Sequence, residues 1–142
     1  MKSAPKSYPI ATKLPDQVNE AAVLSYLSTE TVTIFSLDTL REMALFNEAV
    51  IADWLNVNVK TLRNYKNKNT VIKDHVQEKI VLLLSLFKHG KQVFGDYKAF
   101  STWLETNNFF FDNKAPVSFL TTFSGVLFTD DRLTALEYGD NV

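Results

Sequence analysis

The chain has 142 residues, of which 46% are apolar and 22% charged, with a formal net charge of −1. This length fits one domain or two small ones sharing a core, and the apolar fraction excludes a wholly disordered chain. Because the sequence contains no cysteine, a disulfide framework, a thiolate zinc site and a cysteine nucleophile are excluded. No run approaches the roughly 18 apolar residues of a membrane span, and residues 1–15 lack the apolar segment of a secretory signal. A cytoplasmic protein with no membrane partner is therefore expected.

The small net charge hides an uneven distribution along the chain. Residues 1–58 carry a net charge of −3, residues 59–95 carry +6 and residues 96–142 carry −4. A basic middle between acidic flanks favours two surfaces for two partners. The alternative is that a lysine-rich helix simply has a solvated face.

The first part of the chain predicts an arm followed by short helices. Residues 1–15 contain three of the four prolines and are predicted to be a mobile arm. Residues 16–27 are predicted to be helical, and residues 31–35 to be an extended linker or a minor ribbon. A capping box of Thr39 and Glu42 then predicts the start of the next helix.

Two short helices joined by a three-residue turn are predicted next. Asn47 is expected to cap a helix over residues 48–55, and Asn58 to cap one over residues 59–65. Asn56 tolerates the left-handed conformation and can end the first of the two. With a long helix behind them, two such helices are typical of a helix-turn-helix.

In this interpretation the second short helix recognises DNA. Arg63 can bind guanine through two hydrogen bonds and Asn64 can bind adenine, whereas the lysines suit phosphate contacts. The predicted DNA-binding set is Asn58, Lys60, Thr61, Arg63, Asn64, Lys66 and Lys68. The alternative is a three-helix core piece with lysines on its solvated face.

A long helix and a loop follow. Residues 72–94 form the longest helical pattern, with Gly90 expected to weaken it and Gly95 to end it. Asp96 is expected to cap the next helix. Residues 106–115 are predicted to be a loop that carries three consecutive phenylalanines.

The last segment predicts two more helices. Pro116 can start the first of them. The second ends at Tyr138, with Gly139 in the left-handed position that follows. Thr129 before two aspartates could be a fresh N-cap, so the continuity of residues 125–138 stays open.

The C-terminal third contains an ordered series of short motifs. They are Phe94-Gly95-Asp96, Phe100, Trp103-Leu104, Asn107-Asn108, Pro116, Leu120, Thr122, Gly125, Leu133, Leu136 and Glu137-Tyr138-Gly139. The series resembles the toxin-binding domain of the Xre/MbcA/ParS antitoxin family, which also places an Xre-like helix-turn-helix upstream. The resemblance covers roughly residues 37–139.

The resemblance implies a type II antitoxin that binds and neutralises a cognate protein toxin and represses its own operon. The partner toxins are commonly of the RES type, which resemble ADP-ribosyltransferases and deplete cellular NAD⁺. The antitoxin occludes the toxin's active-site entrance, largely through its C-terminal domain, and uses no cofactor. We therefore expect an all-α homodimer with an arm and short helix (1–36), a helix-turn-helix region with a long connecting helix (37–95) and a toxin-binding domain (96–142).

The candidate toxin-binding residues are aromatic or lie near the acidic end of the chain. Three adjacent phenylalanines in a loop cannot easily all face inward, and an exposed aromatic patch marks a protein interface. The alternative is that two of them fill the gap between helices. The predicted set is Phe109, Phe110, Phe111, Arg132, Glu137, Tyr138, Gly139, Asp140, Asn141 and Val142. Trp103, Leu104 and Leu120 are instead expected in the core.

The features that an enzyme requires are mostly missing from the sequence. His75 and His89 lie about 21 Å apart along one helix, too far to share a metal ion, and both are expected to be solvated. Asp130 and Asp131 point about 100° apart and make a poor acid/base pair. We therefore expect no enzyme, no metal and no small-molecule substrate. The alternatives are a stand-alone helix-turn-helix regulator without a toxin partner, and an interaction module that binds no DNA.

Overall fold

The computed structural model describes residues 14–67 and 70–139, and these ranges contain helices and no β-strand. The helices are α1 (Glu20–Thr29), α2 (Ile34–Ala44), α3 (Glu48–Leu55), α4 (Val59–Asn64), α5 (Asp74–Phe94), α6 (Tyr97–Glu105) and α7 (Phe123–Glu137). Two 3₁₀ turns, Phe109–Phe111 and Pro116–Phe119, lie between α6 and α7. The all-α prediction is confirmed.

Helix α5 lies at the centre of the molecule. Every residue from Lys79 to Phe87 is buried, and the helix packs against α7, α6, α2, α1 and α3. A helix that is apolar on all sides belongs inside a protein, because each of its faces needs a partner. One hydrophobic cluster, which reaches from Leu14 to Leu133, forms around it. None of the helices in the described ranges has the length and apolarity needed to cross a membrane.

The first two helices begin at other residues than predicted. Helix α1 starts after Asn19, whose side chain accepts a hydrogen bond from the backbone N–H of Ala22. Helix α2 starts after Thr33, which forms a capping box with Ser36. The predicted capping box at Thr39 is therefore wrong, and so is the extended conformation of residues 34 and 35. Thr39 is a buried interior residue of α2 whose hydroxyl donates to a backbone carbonyl of the preceding turn.

The two short helices α3 and α4 form where the asparagines predict them. The Asn47 side chain accepts a hydrogen bond from the N–H of Val50 at 3.0 Å. The Asn58 side chain accepts one from the N–H of Thr61 at 2.7 Å. Asn56 ends α3 in the left-handed conformation, with φ 59°. A three-residue turn therefore joins two capped helices, as predicted.

Gly90 does not weaken α5. It is a buried interior residue of the helix, and a Cβ at this position would overlap the ring of Phe100. The glycine therefore allows α6 to approach α5 closely. Gly95 ends α5 at φ 96°, and Asp96 caps α6 by accepting a hydrogen bond from the N–H of Ala99 at 2.7 Å. Both of these predictions are confirmed.

Helix α7 is continuous. It begins after Thr122, whose side chain accepts a hydrogen bond from the N–H of Gly125. Thr129 is buried in mid-helix and donates its hydroxyl to the carbonyl of Gly125 at 2.8 Å, so it is not an N-cap. Pro116 starts a short 3₁₀ turn rather than an α-helix. Gly139 follows α7 at φ 88°, as expected.

Candidate functional site

The predicted DNA-binding residues lie together on α4, its cap and the turn after it. The exposed members are Asn58, Lys60, Arg63, Asn64 and Lys66, whereas Thr61 is half-buried. Lys68 lies outside the described residues. The structure thus places one arginine, two lysines and two asparagines on the solvent side of the second short helix, which holds its apolar residue Leu62 in the core.

One carboxylate lies among these cations. The Nε atom of Arg63 is 3.3 Å from Oε1 of Glu48, and Nζ of Lys66 is 3.9 Å from Oε2. Arg41 on α2 approaches the same Oε2 to 4.0 Å with its Nη2 atom. Sequence reasoning missed Glu48 and Arg41, because both belong to helices that precede α4. The tertiary packing of α2, α3 and α4 brings the four side chains together.

The three phenylalanines of the predicted loop have three different environments. Phe109 is 77% exposed, whereas Phe111 is completely buried. Phe110 is half-buried, and the guanidinium of Arg132 lies over its ring at 3.7 Å from the centroid. The 3₁₀ turn is held by Asn108, whose side chain accepts a hydrogen bond from the N–H of Phe110.

Phe111 therefore does not lie on the surface, contrary to the prediction that it contacts the toxin. Its ring packs edge-to-face against Trp103, Phe119 and Phe128 at centroid distances of 5.0 to 5.6 Å. A turn of three successive residues cannot present all of its side chains to one side, so one ring enters the core. Trp103, Leu104 and Leu120 are buried, as predicted.

The end of α7 carries the other predicted contact residues. Glu137 is the last residue of the helix, and Tyr138 beyond it is 86% exposed. Gly139 is also exposed. Asp140, Asn141 and Val142 lie outside the described residues.

His89 is not a solvated residue, which corrects the sequence prediction, whereas His75 is exposed as expected. The imidazole of His89 is fully buried between α5 and α7. Its Nδ1 lies 2.7 Å from Oδ1 of Asp130, and its Nε2 lies 2.6 Å from Oε1 of Glu137. Each nitrogen faces a carboxylate oxygen, and an ionised carboxylate only accepts hydrogen bonds, so this arrangement favours the doubly protonated imidazolium.

The pKa of His89 reflects two opposing causes. Burial lowers it, but the hydrogen bonds and negative charges of Asp130 and Glu137 outweigh burial and raise the pKa above the usual 6.5. A sequence signal for this cluster exists, because Asp130 and Glu137 are seven residues apart and share one face of α7. The partner on α5 could not be found without the structure.

Residues 89–139 match the antitoxin Xre/MbcA/ParS C-terminal toxin-binding domain. The matched region contains the Phe109–Phe111 turn, the whole of α7 and the buried His89 cluster. No curated protein matches the chain. The match confirms, for the part of the chain that it covers, the toxin-binding domain that the sequence motifs resemble. A toxin-binding domain of this kind supports an antitoxin role in a toxin–antitoxin system, with a cognate toxin as the partner.

Proposed function

We propose that this antitoxin neutralises a RES-type toxin, which depletes NAD⁺, and represses its own operon by binding DNA as a homodimer. The toxin-binding surface is the outer side of the 3₁₀ turn together with the end of α7. The DNA-binding surface is the solvent side of α4. The corresponding units are the arm and short helix (1–36), the helix-turn-helix region (37–95) and the toxin-binding domain (96–142).

The observation that carries the toxin-binding surface is the pair of exposed aromatic side chains within the matched region. Phe109 and Tyr138 are 77% and 86% exposed, whereas other phenylalanines of the chain are buried in the core. Aromatic residues and arginine are enriched at protein interfaces and carry much of their binding energy. Arg132, stacked on Phe110, adds a cation to the same aromatic turn.

The RES identity of the toxin is supported by the family resemblance and by charge. Residues 96–142 carry a net charge of −4. An enzyme that binds an anionic dinucleotide needs a basic pocket, and an acidic segment is complementary to such a pocket. The acidic C-terminal region is therefore suited to cover the entrance of the toxin's active site.

DNA binding is supported by the geometry of α3 and α4. Two capped helices joined by a three-residue turn expose Lys60, Arg63, Asn64 and Lys66 on one side. Arginine and asparagine read base edges, whereas lysine neutralises phosphates. Homodimerisation would bring two such helices to two half-sites and sum their affinities.

The neighbouring genes provide the test of toxin neutralisation. Each adjacent open reading frame is expressed alone and together with this chain, with growth and co-purification as readouts. A toxic neighbour that is rescued by the chain and lowers cellular NAD⁺ when expressed alone is expected. If neither neighbour is toxic or co-purifies, the toxin-neutralising proposal fails, and a stand-alone DNA-binding regulator becomes the better description.

An Arg63→Ala variant tests the DNA-binding half. If Arg63 contacts a base edge in the operon's own promoter, its loss weakens promoter binding by about 1–3 kcal/mol and relaxes specificity at one position. A mobility-shift titration with promoter DNA measures this loss. Lys98→Ala, which removes an exposed cation from α6, is the matched control. Equal affinity for Arg63→Ala and the unaltered chain would reject the base-reading role.

A further inference from the structure

We propose that Glu48 is an intramolecular competitor of the DNA phosphates, which lowers the affinity of the antitoxin for DNA. This inference rests on the DNA-binding half of the proposed function. The carboxylate occupies a position among three cations that a phosphate group would also favour. Removing its charge should therefore tighten DNA binding.

The carboxylate of Glu48 joins cations from three different parts of the chain. Glu48 is the first residue of α3, and Oε1 lies 3.3 Å from Nε of Arg63 on α4. Oε2 lies 3.9 Å from Nζ of Lys66, in the turn after α4. On the other side, Oε2 lies 4.0 Å from Nη2 of Arg41 on α2. One negative charge is thus shared by three positive ones.

Exposure shows why these pairs affect DNA binding more than stability. The side chains of Arg63 and Lys66 are 65% and 58% exposed, and that of Glu48 is 34% exposed. Ion pairs at such exposure add little to the free energy of unfolding, because water screens them. They do, however, engage the Nε edge of the arginine and place a negative charge where a phosphate would approach.

Arg41 leaves this site incompletely satisfied. Its Nη1 donates to Asp38 at 3.0 Å, but its Nε and Nη2 have no acceptor within hydrogen-bonding distance among the described residues. Oε2 of Glu48 likewise lacks a donor at that distance within the same ranges. The carboxylate is therefore attracted to the cations without a full set of hydrogen bonds. A phosphate oxygen can compete with it for Arg63 and Lys66, whose side chains are exposed.

The experiment compares Glu48→Gln with the unaltered chain on a short duplex of mixed sequence, by fluorescence anisotropy over a salt series. Glu48→Gln should bind at least about fivefold more tightly at low salt. Because each added phosphate contact changes the slope of log K against log salt by about −0.9, the slope should steepen by about one.

Asp53→Asn provides the matched control. Asp53 is an exposed carboxylate on the same helix, five residues further on and therefore on another face. Its replacement changes the net charge equally, yet the affinity should change by less than about twofold, since Asp53 contacts none of the three cations that Glu48 contacts. Glu48→Asp, which keeps the charge, should bind like the unaltered chain.

The affinity of the unaltered chain tests DNA binding itself, and the affinity of Glu48→Gln relative to it tests the role of Glu48. If the unaltered chain binds DNA and Glu48→Gln binds equally or more weakly, the inference is overturned. Equal binding would mean that Glu48 has no effect on DNA binding, and weaker binding that it positions Arg63 for DNA. If neither protein binds DNA, both the inference and the DNA-binding proposal fail, whereas toxin binding is measured independently. Circular dichroism of each variant establishes that the fold is intact.

Discussion

Buried charged groups make the stability of this protein depend on pH. The imidazolium of His89 links α5 to α7 through Asp130 and Glu137, with the ring itself fully buried. A buried ion pair costs desolvation energy, and its partners compensate only while both are charged. The protonation state of His89 therefore changes the strength of one link between α7 and the central helix.

The raised pKa of His89 predicts the direction of the pH dependence. Between the unfolded value of 6.5 and the higher folded value, the native state binds more protons than the unfolded state. The free energy of unfolding should therefore fall as pH rises through this window, and His89 should contribute its full stabilisation below pH 6.5. Urea unfolding across a pH series measures the trend.

The His89→Gln variant isolates this contribution. It should lower the free energy of unfolding by about 3–5 kcal/mol at acidic pH, because Asp130 and Glu137 lose a buried cation. The free energy of unfolding of this variant should also lack the His89-dependent fall as pH rises above 6.5. His75→Gln, an exposed change on the same helix, should behave like the unaltered chain. An unchanged pH profile in His89→Gln would contradict the imidazolium assignment.

Lys79 acts in the opposite direction at higher pH. Its side chain is buried without a hydrogen-bond partner among the described residues, and burial lowers its pKa from 10.5 to about 8. Between these two values the unfolded state binds more protons, so this lysine makes stability rise with pH. Both the unaltered chain and His89→Gln retain Lys79. The difference between their free energies of unfolding at each pH therefore reports His89 alone.

At the scale of elements, the 3₁₀ turn Phe109–Phe111 both completes the core and forms a surface. Phe111 closes a cluster of rings with Trp103, Phe119 and Phe128. Phe109, two residues earlier, contacts the ring of Phe110 and is otherwise exposed. The turn thus attaches the exposed aromatic side chain to a rigid support.

This division predicts opposite effects for two identical substitutions. Phe111→Ala should lower the free energy of unfolding by about 3–5 kcal/mol, because it leaves a cavity in a packed core. Phe109→Ala should leave stability within about 0.5 kcal/mol and weaken binding of the cognate toxin by more than about 2 kcal/mol. Urea unfolding and calorimetric titration with the toxin measure the two quantities. Unchanged toxin binding by Phe109→Ala would exclude this side chain from the interface.

The junction between the second 3₁₀ turn and α7 depends on one glycine. A Cβ on Gly125 would overlap the carbonyl oxygen of Phe119, and backbone cannot move aside as a flexible side chain can. Gly125→Ala should therefore destabilise the protein by about 1–3 kcal/mol, although alanine favours helices. Thermal unfolding checks this, with Ser124→Ala at the adjacent exposed position as control. A stabilised Gly125→Ala protein would show that the backbone at Phe119 can move away from the added methyl group.

At the scale of the whole molecule, the two proposed surfaces belong to one core. Ser101 on α6 donates its hydroxyl to the carbonyl of Ala44 at 3.1 Å, and the Asn56 side-chain amide donates to the carbonyl of Thr121 at 3.1 Å. Helices α2 and α3 are therefore tied to the region that carries the proposed toxin-binding turn. Substitutions that loosen this core should affect both kinds of binding.

Salt should distinguish the two surfaces. Binding of DNA by the basic surface should weaken steeply between about 50 and 200 mM salt, because counterions are released from the phosphates. Binding of toxin should weaken less, because the exposed aromatic side chains contribute apolar burial that salt does not screen, and only the contribution of the acidic residues is screened. Parallel titrations of one protein preparation test this. Equal salt dependence for both partners would contradict the assignment of a basic and an aromatic surface.

The sequence alone determined the features that depend on neighbours three or four residues away. The caps at Asn47, Asn58 and Asp96 are hydrogen bonds to the next turn, and Gly95 and Gly139 adopt the left-handed conformations that favour glycine. Local chemistry suffices for such features. The apolar stripe of α5 and the ordered C-terminal motifs were also sufficient to predict the fold class and the toxin-binding domain.

Which side chains meet across the fold depends on how the helices pack. His89 lies 41 residues from Asp130, and Glu48 lies 15 residues from Arg63, so no local pattern relates them. Likewise, only the space left between α6 and α7 determines that Phe111 enters the core while Phe109 stays outside. Caps follow from short-range hydrogen bonds, but burial and charge pairing depend on how the helices pack.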